Sequence, residues 1–502
     1  MSIKVGLIVA DRRSVRLCIE RGTDHGIDAD RIRYFDVEVC YPSMDAAVLR
    51  RFDGVFSIVD EAGRECVYLP RFVDGYDTAV CRFRLFARGA QAEGPAFAEE
   101  LKDPLRNFPY PAADTKKGLQ IADIKDAIEL GVRHAALNVS QGDLLELAPD
   151  GDNTLEFPLD GRTYYFNRKN VEACDAKFKE LTDAGIIITL ILLNSPKWTR
   201  KVPDALWKLI CHPDYAEGSD ALISEFNITT PEAVGYYRAF VAFLADRYAR
   251  ADGQYGRAVG MIVGNEVNSG WIWCNAGVKG PERYSEEYAD IVRLTWQTAA
   301  AYYSGIRVYL SFDHFWTGDA AGGKAPDHYF GAKAVLDTLN KRLTKEGNVP
   351  WNIAHHPYPE DLNYPDFWND KTAPDSPDAP IITFKNLQVL AEFTYEPAFL
   401  YRGRRRRIIL SEQGFNSHWT PESEVLQAMA YGLAYKKVMS IPEIDSFILH
   451  AHHDNLHEFG LNLGLWRRSE DGSRMVAPKP IYYVFKAIDK KDERGVYHWE
   501  RY

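Results

Sequence analysis

The strongest constraint on the fold is a series of short runs in which nearly every residue is apolar. Residues 186–193, "IIITLILL", and residues 258–263, "AVGMIV", have no polar face. Such a strand must be covered on both sides, and helices between consecutive strands supply that cover and force the strands to run parallel. A helix of this kind is expected after Thr230, because Pro231 suits a first helical position and apolar residues then recur every three or four positions. The sequence therefore predicts an α/β fold.

The number of such strands favours a closed barrel. Strands are expected from "HAALNVS" at residues 134–140, through a short "TYYFN" at residues 163–167, to "SFILHAHHD" at residues 446–454. The predicted strands number eight in all, which is the number that closes a (β/α)8 TIM barrel. Because the second of these strands is short, a doubly wound open sheet stays as the alternative.

The first 90 residues have a different pattern. Runs such as "KVGLIVA", "SVRLCIE" and "AVCRFRLFA" are short and β-branched or aromatic, and turn formers separate them at about the 8–12-residue spacing of a β-sandwich. Residues 91–117 are rich in Ala, Gly and Pro and lack periodicity, which is typical of a linker. We therefore expect an N-terminal β-sandwich-like accessory domain at residues 1–90, a linker at 91–117 and a (β/α)8 catalytic barrel at 118–502.

Charge, hydropathy and cysteine content exclude several classes of partner. The formal net charge of −11 argues against nucleic acid and anionic membranes, since both select for basic patches. The seven cysteines form no CxxC pair and predict neither a disulfide framework nor a zinc site. No apolar run approaches the ~20 residues that span a bilayer, and the first residues lack the pattern of a signal peptide. We expect a cytoplasmic protein, or a secreted one if a leader has been removed, and we expect no cofactor; the oligomeric state stays open.

Polar and aromatic side chains follow the apolar runs at the point where each predicted strand ends. The carboxyl ends of parallel barrel strands meet at one face, where the connecting loops form a shared pocket. Sugar rings stack on flat aromatic faces, and sugar hydroxyl groups bond to amides and carboxylates. We therefore expect a carbohydrate substrate bound by Asn194, Asn265, Trp271, His314, Trp316, His356, Tyr358 and His450.

Two glutamates occupy these strand ends, Glu266 after the fourth predicted strand and Glu412 after the seventh. The fourth and seventh strands lie on nearly opposite sides of an eight-strand barrel, so the two side chains can approach each other across the lumen. A separation of about 5–5.5 Å suits a retaining glycosidase, in which one carboxylic acid protonates the leaving oxygen and the other carboxylate attacks the sugar carbon. The acid would then have a pKa of about 6–7 while the nucleophile stays ionised. Taken alone, a glutamate after a strand is most often a helix N-cap or a surface charge, and only the joint pattern of strand ends favours catalysis.

The segments "GNEVN" after the fourth strand, "HHPY" at the sixth and "SEQG" at the seventh resemble the retaining glycoside hydrolases of clan A. The pattern is most similar to families 39 and 5 of that clan. The chain after about residue 110 also resembles a domain of unknown function from bacterial polysaccharide-degrading loci. The resemblance implies a (β/α)8 barrel in which Glu266 is the acid/base and Glu412 the nucleophile.

The same resemblance implies that Asn265 bonds to the sugar 2-hydroxyl and that Tyr358 bonds to the nucleophile. One departure concerns the eighth strand, where clan members often have a Trp. This chain has "HAHHDNLHE" there, and Trp466 comes only from a later loop. The departure puts the subsite for the non-reducing sugar in doubt.

Two other functions stay open. Metal-dependent barrel hydrolases gather His and Asp ligands from strand ends, and such a set could be drawn from His314, His355, His450, His452 and Asp454. Against this, the His-x-His pair expected on the first strand is absent, since "HAALNVSQGD" has a single His. The third possibility is a carbohydrate-binding protein without turnover.

Overall fold

Two sheets form the N-terminal region in the computed structural model, which describes residues 3–21, 33–200 and 202–490. One sheet has the strand order β11-β1-β2-β6-β5 and the other β10-β9-β3-β4. Buried residues from both, including Leu17 and Val37, belong to one apolar core, as in a β-sandwich. The strands are β1 (Ile3–Ala10), β2 (Ser14–Arg21), β3 (Tyr34–Cys40), β4 (Val48–Phe56), β5 (Ile58–Val59), β6 (Glu65–Pro70), β7 (Phe72–Val73), β8 (Tyr76–Asp77), β9 (Arg82–Ala87), β10 (Ala90–Gln91) and β11 (Glu100–Leu101).

A closed barrel of eight parallel strands follows, which confirms the predicted (β/α)8 TIM barrel and N-terminal sheets. Its order is β12-β13-β17-β18-β19-β20-β21-β22, and a helix follows each strand. The strands of this part are β12 (Lys117–Leu119), β13 (His134–Ser140), β14 (Leu145–Glu146), β15 (Thr154–Leu159), β16 (Arg162–Asn167), β17 (Ile187–Leu193), β18 (Ala258–Val263), β19 (Arg307–Phe312), β20 (Trp351–His355), β21 (Ile408–Leu410), β22 (Ile444–Leu449), β23 (Trp466–Arg468) and β24 (Met475–Pro478).

The helices cover the outside of the barrel. The helix predicted after Thr230 is present as α5, and the Thr230 side chain caps it by accepting from the Ala233 N–H. The helices are α1 (Ile124–Glu129), α2 (Gln141–Leu144), α3 (Arg168–Asp183), α4 (Asp204–Ile210), α5 (Pro231–Tyr248), α6 (Gly270–Trp273), α7 (Pro281–Ala300), α8 (Ala332–Glu346), α9 (Gln388–Phe393), α10 (Pro421–Met439) and α11 (Pro480–Ala487). In the described part of the chain, no helix combines the length and apolarity that crossing a bilayer requires.

The expectation that "TYYFN" forms the second barrel strand is wrong. These residues lie in β16, which pairs with β14 and β15 in a small sheet outside the barrel. Phe166 of this strand stacks on Phe243 of α5 with ring centroids 3.9 Å apart, so its apolar face covers a helix. The missing barrel strand is β12, only three residues long, which pairs in parallel with β13 and β22. "HAALNVS" is therefore the second barrel strand, and the third to eighth keep their predicted numbers.

The barrel strands are apolar on both faces because each face belongs to a different core. One buried cluster fills the lumen and contains Ala136, Ile191, Leu193, Ile262, Tyr309, Ala354, Ile409 and Ile448 together with Ile223 from a loop. The alternate strand residues, such as Leu190, Met261 and Leu310, point outward and pack with the helices in the larger core. The polar residues that line the cavity lie mostly beyond the carboxyl ends of the strands.

The N-terminal sheets pack against the outer surface of α7 and α8. Arg82 pairs with Glu346 of α8 at 3.0 Å, and Gln297 of α7 donates to the Ala98 carbonyl at 2.9 Å. The Arg293 guanidinium lies 4.1 Å from the Phe97 ring centre. These contacts lie on the outer side of the barrel helices. Strands β10 and β11 continue the two N-terminal sheets beyond residue 90, and the domain boundaries at 90 and 118 stay predictions.

Candidate active site

A cavity of about 530 Å³ opens at the carboxyl ends of the barrel strands. Its floor includes Leu193 and Ile223 of the lumen cluster, and its walls come from the loops that follow the strands. Within the described chain its lining residues fall between 120 and 463: Gln120, Asn138, Leu193, Trp198, Ile223, Asn265, Glu266, Ser269, Trp273, Asp313, His314, Phe315, Ala320, Tyr358, Leu362, Glu412, His450, Asn455, His457, Glu458, Phe459, Leu461 and Leu463.

Glu266 enters this cavity from a strained position just after β18. Its φ of +38° is in the left-handed region, which costs about 1–3 kcal/mol for a residue with a side chain. The Glu266 N–H donates to the Ser311 hydroxyl at 3.0 Å and holds the turn in place. The residue is only 9% exposed. The strand end therefore delivers a carboxyl group to a site with little water.

A carboxylate network fixes the segment that follows Glu266. Asp313, at the end of β19, accepts hydrogen bonds from the Asn268 amide, the Ser269 hydroxyl and the Phe315 N–H. The Asp313 N–H donates in turn to Asn268 Oδ1 at 3.0 Å. Both oxygens of Asp313 are thus engaged, so this carboxylate holds the loop at the edge of the cavity that it lines.

Glu412 reaches the same cavity from the end of β21. The Tyr358 hydroxyl donates to Glu412 Oε1 at 3.1 Å, and the Gln120 amide donates to Oε2 at 3.2 Å. Hydrogen bonds to both oxygens favour the ionised form and fix the orientation of the carboxylate.

The two glutamates face each other with His356 beside them. One carboxylate oxygen of Glu266, one of Glu412 and one ring nitrogen of His356 all lie within 4.8 Å of one another. His356 Nδ1 is hydrogen-bonded to Glu266 Oε1 at 2.8 Å, and its Nε2 is 3.0 Å from the Ser411 hydroxyl oxygen. This spacing between oxygens is close to the separation of about 5–5.5 Å at which two carboxyl groups support retaining glycoside hydrolysis.

The surroundings separate the proton affinities of the two glutamates. Burial is the main reason why the pKa of Glu266 is raised to about 7. The negative charges of Asp313 and Glu412 raise this pKa further, and the hydrogen bond to His356 lowers it. Burial also acts to raise the pKa of Glu412, but the imidazoles of His356 and His450 and the hydrogen bonds from Gln120 and Tyr358 bring it below its ordinary value. Near neutral pH, Glu266 is therefore able to donate a proton while Glu412 is ionised.

A chain of polar contacts extends from Glu412 to the loop after β22. Gln120, which donates to Glu412, accepts from His450 Nδ1 at 2.6 Å. His450 Nε2 lies 3.0 Å from Glu458 Oε1. Burial opposes the charged form of His450, yet Glu458 and Glu412 raise its pKa above the ordinary value. When it is protonated, His450 stabilises the negative charge of Glu412 from the position where a Trp was expected by resemblance.

Most of the residues expected to bind substrate come together at this site. Asn265, His314, Tyr358 and His450 line the cavity with the two glutamates. His356 contacts Glu266 but is 2% exposed, so it stands behind the carboxylate. The roles of these residues toward a substrate stay predictions.

Three expected residues lie elsewhere. Asn194 is fully buried, and its amide donates to the Ile210 carbonyl at 2.7 Å. Trp316 is 2% exposed and packs edge-on against Phe393. Trp271 donates to Asp220 at 2.8 Å, and its ring centre lies 4.0 Å from that of His328, with the two rings tilted by 49°. These three residues are not among those that line the cavity, and their roles toward a substrate stay predictions.

Several lining residues were not expected from the sequence. Gln120 follows β12, a strand too short to recognise in the sequence. Once that strand is known, Gln120 can be placed at a strand end like the other cavity residues. Trp198 and Trp273 follow the third and fourth strands by several residues. The segment from Asn455 to Leu463 has no periodicity that would place it over the cavity.

In the described chain, the ligand set drawn from His314, His355, His450, His452 and Asp454 does not come together as one group of donors. His355 bonds to the Ile382 carbonyl at 3.0 Å, His452 pairs with Asp126 at 2.8 Å, and Asp454 pairs with Lys479 at 2.8 Å. Over the described residues, the sets with suitable donors in reach are Glu266–His356–Glu412, His212–Glu225–Glu287 and Cys18–Asp60–Cys66. In the second set the Lys279 ammonium already lies 2.5 Å from Glu287.

Residues 109–499 match a family described as "Family of unknown function (DUF5722)". The chain belongs to this family. This confirms the expected resemblance to a domain of unknown function after about residue 110. A comparison with curated proteins finds no match.

The solved structures similar to this DUF5722 chain include glycoside hydrolases of families 39 and 1. A family 39 enzyme from the gut symbiont Bacteroides cellulosilyticus WH2 is 14% identical, with 97% of this chain and 82% of that chain covered and a TM-score of 0.46. A hyperthermophilic β-glucosidase from Pyrococcus furiosus is 13% identical, with coverage of 73% and 83% and a TM-score of 0.46. A family 1 glycoside hydrolase from Thermotoga maritima is 11% identical, with coverage of 73% and 85% and a TM-score of 0.43.

The two glutamates should titrate separately, and their coupling can be measured. We expect the Glu266 carboxyl to lose its proton at a pH of about 7 in infrared difference titration. The Glu412→Gln variant should lower that pKa, because the negative charge of Glu412 contributes to raising it. The free energy of unfolding should also depend on this proton, because the pKa of Glu266 is higher in the folded protein than in the unfolded chain. The stabilisation due to protonated Glu266 is complete below the pKa of the unfolded chain and is lost as the pH rises through about 7.

The matched control is Glu61→Gln, which removes an exposed carboxylate in the N-terminal region. It should leave the titration of Glu266 unchanged. A Glu266 pKa that stays the same after Glu412→Gln would contradict the proximity of the two groups.

Proposed function

We propose that this protein is a retaining glycoside hydrolase that cleaves O-glycosidic bonds of oligosaccharides or polysaccharides. The observation that carries the proposal is the approach of the Glu266 and Glu412 oxygens to within 4.8 Å from different strands of one barrel. The pKa of Glu266 is raised and that of Glu412 is lowered, so Glu266 can donate a proton while Glu412 is an anionic nucleophile. These are the two groups that double displacement requires.

In the first step, an oxygen of Glu412 attacks the anomeric carbon of the sugar. The glycosidic C–O bond breaks, and Glu266 gives its proton to the leaving oxygen. Tyr358 and Gln120 orient the attacking carboxylate through their hydrogen bonds. The low exposure of Glu266 keeps its proton available at neutral pH.

In the second step, Glu266 is a carboxylate and takes a proton from water. The water oxygen attacks the anomeric carbon, the bond to Glu412 breaks, and its electron pair returns to the carboxylate. His356 supports both states of Glu266, since its Nδ1 lies within hydrogen-bond distance of Oε1. The product keeps the anomeric configuration of the substrate.

Removing the nucleophile should abolish turnover in a way that a small anion reverses. We expect Glu412→Ala to lower kcat by roughly three orders of magnitude or more, because the covalent step is lost. Added azide should restore product formation by occupying the vacated space, and the glycosyl azide should have inverted configuration. The measurement is product analysis by proton nuclear magnetic resonance on a panel of aryl glycosides and natural oligosaccharides.

The Glu61→Gln variant serves as the control and should turn over like the unmodified protein. An azide product of retained configuration would contradict the role of Glu412. Loss of activity of the unmodified protein in a metal chelator would instead favour a metal-dependent hydrolase, and binding without turnover on the whole panel would favour a carbohydrate-binding protein.

Removing the acid should have an effect that depends on the leaving group. We expect Glu266→Ala to lower kcat/KM by roughly 10²–10⁴-fold on natural oligosaccharides, whose leaving oxygen needs a proton. Dinitrophenyl glycosides should be spared in the first step, because their leaving group departs as an anion. Steady-state and burst kinetics on both substrate types make the comparison. Equal losses on both would show that Glu266 is not the acid.

A further inference from the structure

Three aromatic side chains stand together at one rim of the cavity. Trp198 follows β17, Trp273 lies at the end of α6 in the loop that carries Glu266, and Phe459 comes from the loop after β22. The Trp198 and Trp273 ring centres are 6.1 Å apart, and those of Trp273 and Phe459 are 6.2 Å apart with the rings perpendicular. Three separate loops thus build one aromatic surface.

These rings are exposed although they adjoin a buried site. Trp198 is 57% and Phe459 is 73% exposed. Trp273 is half-buried and packs against the lumen cluster, which gives the aromatic surface a rigid base. Exposed large apolar groups gathered at the edge of a cavity are typical of a surface that binds a ligand.

The loops that carry the rings are held by contacts outside the cavity. Lys197, next to Trp198, donates to the Ser219 carbonyl at 2.9 Å. The Asn462 N–H, close to Phe459, donates to Asn416 Oδ1 at 2.7 Å. These bonds restrain the loops next to the rings, which lowers the cost of ordering them when a ligand binds.

The position of the rings relative to the glutamates identifies the part of the substrate that they meet. Gln120 and Tyr358, which donate to Glu412, come from the ends of β12 and β20, and His450 at the end of β22 bonds to Gln120. Two of the aromatic rings instead come from the loops after β17 and β18, on the side of Glu266. In double displacement the leaving group lies beside the acid, and Trp273, which is in the same loop as Glu266, puts the aromatic surface on that side. Phe459 joins the surface from the loop after β22 through its contact with Trp273.

The charge of the cavity limits the chemistry of the ligand. Its lining has four carboxylates, those of Glu266, Asp313, Glu412 and Glu458, and among the described lining residues there is neither Lys nor Arg. His450, whose pKa is raised, already lies 3.0 Å from Glu458, so a negatively charged ring would meet mainly like charges. A neutral sugar ring, with its C–H face toward the aromatic surface, suits the same space.

We propose that Trp198, Trp273 and Phe459 form a binding subsite for an uncharged sugar ring on the leaving-group side of Glu266. This inference rests on the proposed glycosidase function and narrows it to substrates whose leaving group is itself a neutral sugar. In transglycosylation, the same subsite binds a sugar acceptor at the place that the leaving group has vacated. An acceptor hydroxyl oxygen attacks the anomeric carbon of the glycosyl-Glu412 ester, its proton passes to the Glu266 carboxylate, and the ester bond breaks with its electron pair returning to Glu412.

The test separates this subsite from the chemistry of the glutamates. The enzyme is first treated with 2-deoxy-2-fluoro glycosyl fluorides of glucose, galactose, mannose and xylose, whose fluoride leaving group does not need the aromatic surface. The trapped enzyme is then reactivated in buffer, or with methyl glycosides of the same neutral sugars, or with methyl glucuronide and methyl galacturonide. The return of activity gives the reactivation rate.

We expect neutral methyl glycosides to accelerate reactivation and the uronides not to do so. Trp273→Ala should reduce the acceleration by about tenfold, the loss expected when the burial of part of a sugar ring is removed. The rate with each acceptor is divided by the rate of the same variant in buffer, so that any general effect of a substitution on the trapped enzyme cancels. Trp198→Ala and Phe459→Ala should also reduce the acceleration. Both side chains are largely exposed, so we expect these two variants to fold normally. Trp273→Phe should retain part of the acceleration, since a ring remains.

The matched control is Phe72→Ala, because Phe72 is 58% exposed but lies in the N-terminal region. It should leave the acceleration unchanged. Full acceleration in all three aromatic variants, equal acceleration by uronides, or no acceleration by any neutral acceptor would overturn the subsite. If none of the fluorides trapped the unmodified enzyme, the proposed glycosidase function would be overturned, and the subsite would be overturned with it.

Discussion

The site depends on the confinement of two carboxyl groups in a space where both cannot stay ionised without compensation. An isolated carboxylate loses much of its hydration when it is buried, and a second one a few ångströms away adds repulsion. The chain resolves this conflict unequally. Glu266 holds a proton near neutral pH, while Glu412 has two hydrogen-bond donors and two imidazoles to stabilise its charge. The difference between an acid and a nucleophile is thus a property of the surroundings, since the side chains are identical.

The barrel makes that arrangement possible by separating apolar and polar layers along each strand. Ile262 and Ile409 point into the lumen and pack with residues of the other strands, which excludes water from below the site. A few residues later the same strands deliver Glu266 and Glu412 to the cavity. The strain at Glu266, with its left-handed backbone, is held by Ser311 and by the network around Asp313. The packed lumen cluster and these hydrogen bonds together support the two glutamates where they face each other.

Much of the fold and the central pair could be predicted because both depend on a short-range pattern, an apolar run followed by a polar residue. The strand β12 has three residues, one of them Gly118, so it has no run to recognise. "TYYFN" has the composition of a strand, but Phe166 covers α5, and composition does not say which partner a strand has. Asn194 and Trp316 follow strands as Glu266 does, but the direction in which the chain turns decides whether a side chain reaches the cavity. The loop that bears Glu458 and Phe459 is positioned by long-range contacts that have no local signature.

The central claim is that Glu412 forms the bond to the sugar, and the most direct measurement is the site of that bond. The protein trapped with a 2-deoxy-2-fluoro glycosyl fluoride is digested at low pH, and the labelled peptide is sequenced by tandem mass spectrometry. The account predicts one label per chain, on Glu412, and none in the Glu412→Gln variant. A label on Glu266 or on Asp313, or a label that persists without Glu412, would contradict it.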